Sequence, residues 1–425
     1  MPVPVANWAG NVTFTAGQVH RPSSVDELRE LLAAGGGGPV RALGTGHSFS
    51  RIADTGGKLV SGAGLPATVA IDPRRGTATV AAGLRYGELV AQLHRAGYGL
   101  PGMASLPHIS VAGACATGTH GSGDRVGNLA TAVTALELVT ADGSVVTLTR
   151  EDERFPGAVV GLGALGIVTR LTLELVPAFE VRQYVYEGLP YDVLARRWPE
   201  IFAAAYSVSV FTGWTGAREA QVWVKQREGA DAPPEQWLGA RRAGAARHPI
   251  PGMPAVHCTE QLGVPGAWYA RLPHFRLEFT PSSGQELQSE YLLGRDRAGE
   301  ALAALDRIRD RIAPVLQISE IRTVAADELW LSPSYRRDTV AFHFTWVADA
   351  AAVTPVLAAV EERLVPLGAR PHWGKLFGVA PAAVRAAYPR WADFVTLARE
   401  LDPAGRFRNE FVDTYLPAAD RPLQP

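Results

Sequence analysis

Short periods of apolar and polar residues dominate the chain up to about residue 175, and they predict alternating small helices and strands. Ser24 and Glu27 form a capping box before leucines at helical spacing, and the glycines from Gly35 should end that helix. A second helix, in "LRYGELVAQLHRAG", should end at Gly97 because glycine readily closes a helix. Strands are predicted for Val40 to Leu43, for "GTATVAAG", for both arms of a hairpin in "ALELVTADGSVVTLT" and for "GIVTRLTLELV".

The pattern changes near Pro177, where longer strands and tryptophans begin. Helices are predicted in "RAGEALAALDRIRDRIA" and "AAVTPVLAAVEERLV", whereas "EQWLGARRAGAARHPIPGMP" is typical of a loop-rich connection. No repeat of fixed period occurs along the sequence. The chain is therefore predicted to be α+β in two parts, the first built from short βαβ and hairpin pieces and the second around a larger sheet.

Length and charge narrow the class of protein. A chain of 425 residues is too long for one hydrophobic core, so two domains are expected. The formal net charge of −1 provides no broad positive field, which argues against nucleic acid as a partner, and no apolar run is long enough to span a membrane. The opening "MPVPVANWAGNV" lacks the features of a secretory signal, and Cys115 and Cys258 are expected to be free thiols, so we predict a cytoplasmic protein.

Two glycines precede a histidine in "RALGTGHSFS", which includes the end of the strand predicted from Val40. Gly44 and Gly46 indicate a backbone that turns sharply or approaches another group closely. The motif lacks the Lys-Ser/Thr pair of a phosphate-binding P-loop. His47 is open to three interpretations at this point: a buried structural residue, a metal ligand or a contact to a cofactor.

A second glycine-rich stretch, "MASLPHISVAGACATGTHGSG", runs from Met103 to Gly123. Its small residues would let the backbone approach a ligand, and its hydroxyls and amides could bind diphosphate oxygens; an irregular loop is the alternative. His108 and His120 lie in no zinc-type spacing, so no metal site is predicted. "GLGALG", further along, matches a dinucleotide-binding string, but a strand follows it instead of a helix, which disfavours a Rossmann site.

Two apolar strands of the second part each carry a pair of polar residues. In "QISEIRTVAAD", Glu320 and Arg322 share one face, and in "TVAFHFTWVAD", His343 and Thr345 do the same. Burying a polar pair in an apolar layer costs free energy unless its side chains bind a ligand or each other. Either a polar binding site or an internal Glu–Arg ion pair would explain them. A third segment, "RPHWGKLF", adds Lys375.

These stretches and several further motifs, in the same order, carry a family resemblance. "GTGHSF" together with "MASLPHISVAG" and "ATGTHGSG" resembles the FAD-binding half of the vanillyl-alcohol oxidase family of flavoproteins. Within that family, the chain is similar over nearly its whole length to the bacterial alditol oxidases. The further matching motifs are "NWAGN", "LVTADGS", "AAYSVS", "HPIPGMPAV", "EFTPSSG", "SEYL", "EIRTVAAD", "HFTWV", "RPHWGK" and "DPAGRF".

The resemblance implies a two-domain α+β flavoprotein oxidase. Residues 1–179 would form an FAD-binding domain of two α/β subdomains, residues 180–378 a substrate-binding cap on a large antiparallel sheet, and residues 379–425 a segment that completes the FAD domain. It also implies that His47 is bonded covalently to the 8α-methyl group of the flavin. Some relatives have a second link through a cysteine, which would align with Ser105, so a single attachment is expected here.

Residues of the site follow from the same resemblance. Contacts to FAD are expected from Ala42, Leu43, Gly44, Thr45, Gly46, His47, Ser48, Ser105, Ser110, Gly113, Ala114, Cys115, Ala116, Thr117, Ile167 and His372. Substrate contacts are expected from Ser105, Glu320, Arg322, Thr345 and Lys375. The expected catalytic residues are Arg322, Lys375 and His343, with either Lys375 or His343 taking the hydroxyl proton.

The implied reaction is oxidation of a terminal primary hydroxyl of a linear alditol, such as xylitol or sorbitol, to the aldose, with dioxygen reduced to hydrogen peroxide. A monomer is expected. An aldonolactone oxidase or dehydrogenase of the same fold is the nearest alternative. A non-catalytic carbohydrate-binding protein is the alternative from another class; loss of His47 or of the polar residues would have favoured it, and the sequence retains both.

Overall fold

Three small sheets lie in the first half of the chain in the computed structural model, which describes residues 5–34 and 38–417. The strands of this half are β1 (Val19–His20), β2 (Val40–Leu43), β3 (Lys58–Ser61), β4 (Val69–Asp72), β5 (Thr77–Ala81), β6 (Tyr98–Gly99), β7 (Val133–Val139), β8 (Val145–Thr149), β9 (Ile167–Glu174) and β10 (Val176–Pro177). A parallel sheet has the order β1-β3-β2, an antiparallel sheet has the order β4-β5-β9-β7-β8, and β6 pairs with β10. The strands predicted from alternation in this half are confirmed.

Helix ends in this half follow the sequence signals in part. Ser24 precedes the first helix, and its Oγ accepts a hydrogen bond from the amide of Glu27 at 3.1 Å. The capping box is only half formed, because the Glu27 carboxylate accepts from the amide and hydroxyl of Ser23. The predicted stop at Gly35 lies outside the described residues, whereas Gly97 ends the second helix at φ +84° as predicted. The helices are α1 (Val25–Ala33), α2 (Tyr86–Arg95), α3 (Val111–Ala116) and α4 (Phe155–Ala158).

A large antiparallel sheet organises the second half. Its strands are β11 (Glu180–Pro190), β12 (Ser207–Thr212), β13 (Glu219–Arg227), β14 (Gln236–Trp237), β15 (Ala240–Arg242), β16 (Gly266–Ala267), β17 (Leu287–Gly294), β18 (Leu316–Val324), β19 (Thr339–Trp346) and β20 (Arg370–Pro371). They are ordered β14-β15-β11-β13-β12-β18-β19-β17-β20, and β16 also pairs with β11. The larger sheet expected from the sequence is confirmed.

The structure differs from the sequence-based prediction in two segments of this half. β14 and β15 form a short hairpin inside the stretch predicted as loop, and Leu238 and Gly239 at its tip both have positive φ. The helix predicted over "RAGEALAALDRIRDRIA" is interrupted at Ile308, whose φ and ψ of −114° and 13° are not helical. Its apolar spacing continues through the break, so periodicity alone could not reveal it. The helices are α5 (Tyr191–Ala203), α6 (Ala298–Asp306), α7 (Arg309–Ile312), α8 (Ala350–Leu364), α9 (Pro381–Ala387), α10 (Trp391–Leu401) and α11 (Glu410–Tyr415).

The C-terminal segment returns to the first half of the chain. The amide nitrogen of the Asn409 side chain donates to the carbonyl of Asp54 at 2.8 Å. Arg41, which is buried in β2, donates to the carbonyl of Phe407 at 2.6 Å and to that of Gly163 at 2.9 Å. These contacts support the predicted role of residues 379–425, although the three domain limits stay a prediction.

Candidate active site

One cavity of about 760 Å³ separates the glycine-rich loops of the first half from one face of the large sheet. Its volume lies within the usual range of about 300–1,000 Å³ for ligand sites. Every residue predicted from the sequence to contact cofactor or substrate lines this cavity. They are Ala42, Leu43, Gly44, Thr45, Gly46, His47, Ser48, Ser105, Ser110, Gly113, Ala114, Cys115, Ala116, Thr117, Ile167, Glu320, Arg322, His343, Thr345, His372 and Lys375.

His47 lies on a turn held from both sides. Gly46 precedes it with φ +72°, a conformation that favours glycine. The imidazole stacks on the indole of Trp8 with ring centroids 5.4 Å apart, and its Nδ1 lies 3.0 Å from the hydroxyl oxygen of Thr45. Burial lowers the pKa of His47 to about 4, with a further contribution from the charges of His108 and Lys375. The ring is therefore neutral near pH 7, as a nucleophile requires.

The two glycine-rich stretches meet closely on the cavity wall. A Cβ at Gly44 would lie 2.6 Å from the hydroxyl oxygen of Ser110, and one at Gly113 would lie 2.8 Å from the same atom. Both distances are shorter than real Cβ atoms show, so a larger residue at either position would force the Ser110 hydroxyl to move. The resulting wall presents small residues and backbone, including the short helix α3, to the cavity. Such a wall admits the close backbone approach that a diphosphate-bearing cofactor such as FAD needs.

Loop "GLGALG" borders the same cavity, although the Rossmann interpretation does not hold. Strand β9 follows Gly166 directly, as the sequence predicted. Gly163 and Gly166 both adopt positive φ, and Gly163 accepts a hydrogen bond from Arg41 through its carbonyl. The loop is a tight connection that helps close the cavity, and no helix N-terminus follows it.

Three neighbouring strands bring acidic and imidazole side chains together opposite the glycine loops. In the register of β17, β19 and β18, His343 lies between Glu290 and Glu320. Because side chains alternate across a sheet, these three residues point to the same face. Thr345 lies two positions along β19 on that face, with its hydroxyl oxygen 3.2 Å from His343 Nε2.

Glu290 lies at the centre of this polar group, although it is not among the site residues predicted from the sequence. Its Oε1 contacts Arg322 Nη2 and lies 3.3 Å from His120 Nε2, while its Oε2 lies 3.6 Å from His343 Nδ1. Burial alone would raise the pKa of Glu290, but Arg322 and His120 more than offset it and hold the pKa well below its usual range. The carboxylate is therefore ionised, and it can only accept hydrogen bonds.

Arg322 links the sheet to the first half of the chain. Its Nη1 donates to the hydroxyl of Ser105 at 3.2 Å, and its Nε lies 3.6 Å from Glu320 Oε1. The ion pair between Glu320 and Arg322 considered from the sequence is thus present but long, and the closer partner of Arg322 is Glu290. Burial lowers the pKa of Arg322, but the two carboxylates outweigh it and raise the pKa overall.

Lys375 approaches the same group from the edge of the sheet, where the segment after β20 runs beside β17 and the amide of Leu376 donates to the carbonyl of Gln288 at 2.8 Å. Its Nζ contacts the side-chain oxygen of Gln288 and lies 5.1 Å from the ring centroid of Phe49. Burial lowers the pKa of Lys375 to about 8, although Glu290 acts in the other direction. Burial also lowers the pKa of His343, so the imidazole is neutral where the ammonium of Lys375 is charged.

Several residues that line this polar face are not among the site residues predicted from the sequence. Gln288 and Glu290 lie two positions apart on β17 and share a face as the polar pairs of β18 and β19 do, but the polar Ser289 between them weakens the alternation. His274 had no such signal, because it lies outside any strand and reaches the cavity only through the fold. Its Nε2 lies 2.8 Å from Glu320 Oε1.

Comparisons with known proteins agree with this geometry. The sequence profile "FAD binding domain" matches residues 16–149, and the profile "D-arabinono-1,4-lactone oxidase" matches residues 284–415. An alditol oxidase from a Streptomyces strain is 55% identical over 98% of this chain and 100% of its own length. The chain belongs to the alditol oxidase family. An L-gulono-1,4-lactone dehydrogenase from Mycobacterium tuberculosis is 30% identical over 97% of this chain and 98% of its own length.

Solved structures support the fold over the whole chain. Cholesterol oxidase from Brevibacterium sterolicum matches with a TM-score of 0.79 and 17% identity, covering 97% of this chain and 96% of that one. The expected architecture, an FAD-binding part with a cap on a large antiparallel sheet, is thereby confirmed, and the chain is a flavoprotein oxidoreductase that uses FAD. Within the described ranges, no helix combines the length and the apolar character needed to cross a bilayer, and no cluster of three or more potential metal ligands occurs.

Proposed function

We propose that this protein oxidises a terminal primary hydroxyl of linear alditols, such as xylitol and sorbitol, to the aldose and reduces dioxygen to hydrogen peroxide. The observation that carries the proposal is the ionised polar face of β17, β18 and β19 opposite the glycine loops. A polyol offers only hydroxyl groups, so its site needs both acceptors and donors, which Glu320 and Arg322 supply. FAD, when bound, takes two electrons from the carbinol carbon and passes them to oxygen.

The glycine loops and His47 would hold the cofactor, and we propose that His47 does so covalently. Its neutral ring is a competent nucleophile toward the 8α-methyl group. Forming the C–N bond would replace one methyl hydrogen and the imidazole hydrogen, and dioxygen would take up both with their electrons to give hydrogen peroxide. Ser105 stands where a second link would require a cysteine, so the attachment is single.

The proton of the reacting hydroxyl would go to His343. The carboxylate of Glu290 faces Nδ1 of this ring at 3.6 Å and can only accept, which favours hydrogen on Nδ1. The lone pair is then on Nε2, next to Thr345. Because burial lowers the pKa of His343, the ring is free to accept a proton near pH 7.

Positive charge near the reacting oxygen would favour its alkoxide character in the transition state. Arg322 stays charged at any working pH, so it stabilises charge without acting as a base. Lys375 is charged below its pKa of about 8 and would assist Arg322. The hydroxyls of Ser105 and Thr345, with the carboxylate of Glu320, would bind the remaining hydroxyls of the substrate.

An anaerobic titration tests the proposed function. Xylitol or sorbitol added to the yellow protein without oxygen should bleach the flavin absorbance, and admission of oxygen should restore it with one hydrogen peroxide formed for each alditol oxidised. The match of residues 284–415 to lactone oxidases favours an aldonolactone as the second candidate. L-Gulono-1,4-lactone run in parallel distinguishes the two. Bleaching by the lactone alone would reject the alditol assignment.

Replacing His47 by alanine should break the attachment of the cofactor. Acid precipitation of the wild-type protein should give a yellow pellet, because the flavin remains bonded to the chain. The His47→Ala protein should release free flavin into the supernatant or be isolated without it. His94→Ala serves as the control, since His94 does not line the cavity. A colourless wild-type pellet under a yellow supernatant would contradict covalent attachment.

Flavin reduction should slow as the pH rises through about 8. The pKa of Lys375 is lowered to about 8, so its positive charge is present below that pH and lost above it. Stopped-flow reduction at saturating xylitol across pH 6 to 10 measures the profile. The Lys375→Arg protein should lack the decline near pH 8, because arginine stays charged throughout. A rate that rises through pH 8 would instead assign the proton-accepting role to Lys375.

We also infer a monomer located in the cytoplasm, with the domain limits 1–179, 180–378 and 379–425 expected from the sequence. Light scattering during gel filtration measures the mass against the 45.3 kDa of one chain. A mass of two chains would contradict the monomer.

A further inference from the structure

A buried lysine lies behind the cavity wall, where none of the roles proposed above uses it. Lys225 is on β13, only 1% exposed, and does not itself line the cavity. Its ammonium group has three N–H donors and three acceptors around it: the carbonyl of Leu272, the carbonyl of Pro273 at 3.1 Å and Nδ1 of His274 at 3.0 Å. Burial lowers the pKa of Lys225 to about 7, although the charge of Glu320 acts in the other direction, so the ammonium form predominates below about pH 7. In that form the group can only donate, and it specifies an unprotonated nitrogen at Nδ1 of His274.

His274 connects this lysine to the cavity. Its other nitrogen, Nε2, lies 2.8 Å from Glu320 Oε1. The rings of Trp223 and Phe211 contact the imidazole edge-on, with centroids 5.1 and 5.5 Å away, and fix its orientation. A carboxylate can only accept, so Nε2 must carry the hydrogen. The donors therefore run in one direction, from Lys225 through His274 to Glu320.

Charges in this chain of three residues are consistent with that direction. Burial lowers the pKa of His274 to about 4, and the charge of Lys225 lowers it further. The imidazole is therefore neutral, and its single ring hydrogen lies on either Nδ1 or Nε2. Burial would raise the pKa of Glu320, but Arg322 and His274 lower it well below its usual range. Below about pH 7, where Lys225 carries its charge, a cation, a neutral ring and an anion follow one another, and their net charge is zero.

We propose that Lys225 is a positioning residue for substrate: by selecting the Nε2–H tautomer of His274, it holds one oxygen of Glu320 and leaves the other to accept a hydroxyl of the alditol. This inference rests on the proposed function. Without Lys225, only Glu320 would favour the hydrogen on Nε2, so the tautomer with an unprotonated Nε2 would become more populated, and in that tautomer two acceptors face each other. Glu320 would move away or lose its orientation, and the alditol would lose its acceptor.

Lys225 also donates to the carbonyls of Leu272 and Pro273, so it could stabilise this loop without any effect on His274. The experiment must separate this structural role from the positioning role. Lys225→Met removes the ammonium and keeps a long apolar stem. We expect the xylitol concentration for half-maximal anaerobic flavin reduction to rise about tenfold or more, the loss typical of a hydrogen bond to a charged group. The limiting reduction rate should stay within about twofold, because Lys225 does not touch the reacting atoms.

Gln183→Met is the matched control. Gln183 is fully buried on β11, opposite Lys225 in the register of the sheet, and its amide donates to Thr259 and Glu260 without touching His274. It should leave the half-saturating concentration within about twofold of the wild-type value. An equal rise in both variants, or no rise in Lys225→Met, would overturn the proposal.

A second background tests the dependence on the tautomer. In His274→Gln, a side-chain amide can present an N–H to Glu320 without any partner to select it. Lys225→Met added to this variant should change the half-saturating concentration less than about twofold, in contrast to its effect alone. A merely structural lysine would cause the same loss in both backgrounds, and that result would reject a role through His274.

Nitrogen-15 NMR of the histidine-labelled holoprotein provides a readout independent of turnover. The His274 signals are those lost in His274→Gln. They should show the Nε2–H tautomer in the wild type and a mixture, or the other tautomer, in Lys225→Met. The Nδ1–H tautomer in the wild type would contradict the proposal even in a fully active protein. If the wild type oxidises no alditol but shows the expected tautomer, the proposed substrate is wrong and the arrangement of Lys225 and His274 stands.

Discussion

Replacing Arg322 or Lys375 by alanine should each slow anaerobic flavin reduction about 100-fold or more, the scale for losing one electrostatic donor at a reacting oxygen. The reacting hydroxyl yields hydride more readily as its oxygen becomes alkoxide-like, so a cation nearby stabilises the transition state more than the bound substrate. Arg322 and Lys375 are the cations that the fold brings to the polar face of β17, β18 and β19. Stopped-flow reduction at saturating xylitol measures the rate constant.

The controls separate chemistry from binding and folding. Both variants should be isolated yellow, because neither residue is predicted to hold the flavin. Lys58→Ala removes a lysine that does not line the cavity and whose Nζ donates to the carbonyl of Leu31, and it should leave the rate unchanged. If reduction at saturating alditol is nearly as fast as in the wild type and only the half-saturating concentration rises, the two cations bind substrate and do not accelerate its oxidation.

Replacing Glu290 by glutamine should lower the free energy of unfolding by about 3–5 kcal/mol, the usual cost of removing one partner of a buried ion pair. Arg322 would lose its close ionic partner and keep the hydrogen bond to Ser105 and the longer contact to Glu320, so one buried positive charge would be less well compensated. Urea unfolding of the holoprotein, followed by far-UV circular dichroism, measures the change at pH 7. Glu200→Gln is the control, because Glu200 pairs with Arg197 on the surface, where an ion pair contributes about 1 kcal/mol or less.

The pH dependence of that difference has a defined sign. The pKa of Glu290 is held well below its ordinary value of 4.5, so its stabilising effect is fully present above pH 4.5 and is lost as the pH falls through the lowered value. The difference in the free energy of unfolding between the wild type and Glu290→Gln should therefore be constant from pH 7 to about 5 and become smaller in more acidic solution. A gap that widens on acidification would mean that the carboxyl group is protonated in the folded protein.

Local sequence predicted much of what each segment does by itself. Alternation identified β9, β18 and β19 and placed Glu320 with Arg322, and His343 with Thr345, because side chains on a strand change sides at every residue. The family motifs identified the glycine loops, where a Cβ at Gly44 or Gly113 would displace the hydroxyl of Ser110. The same local signals failed at Ile308, where the helix breaks without a change in apolar spacing.

The sequence by itself determined at which positions polar residues interrupt the apolar strands β18 and β19, and on which face of each strand these residues lie. Only the tertiary structure decided their partners. Glu290 meets His343 because β17 pairs with β19 in one register, and Lys225 reaches Glu320 only through His274, which a loop carries to the sheet. The face of a side chain follows from its own strand, whereas strand order and register depend on contacts between segments far apart in the chain, which no local pattern records.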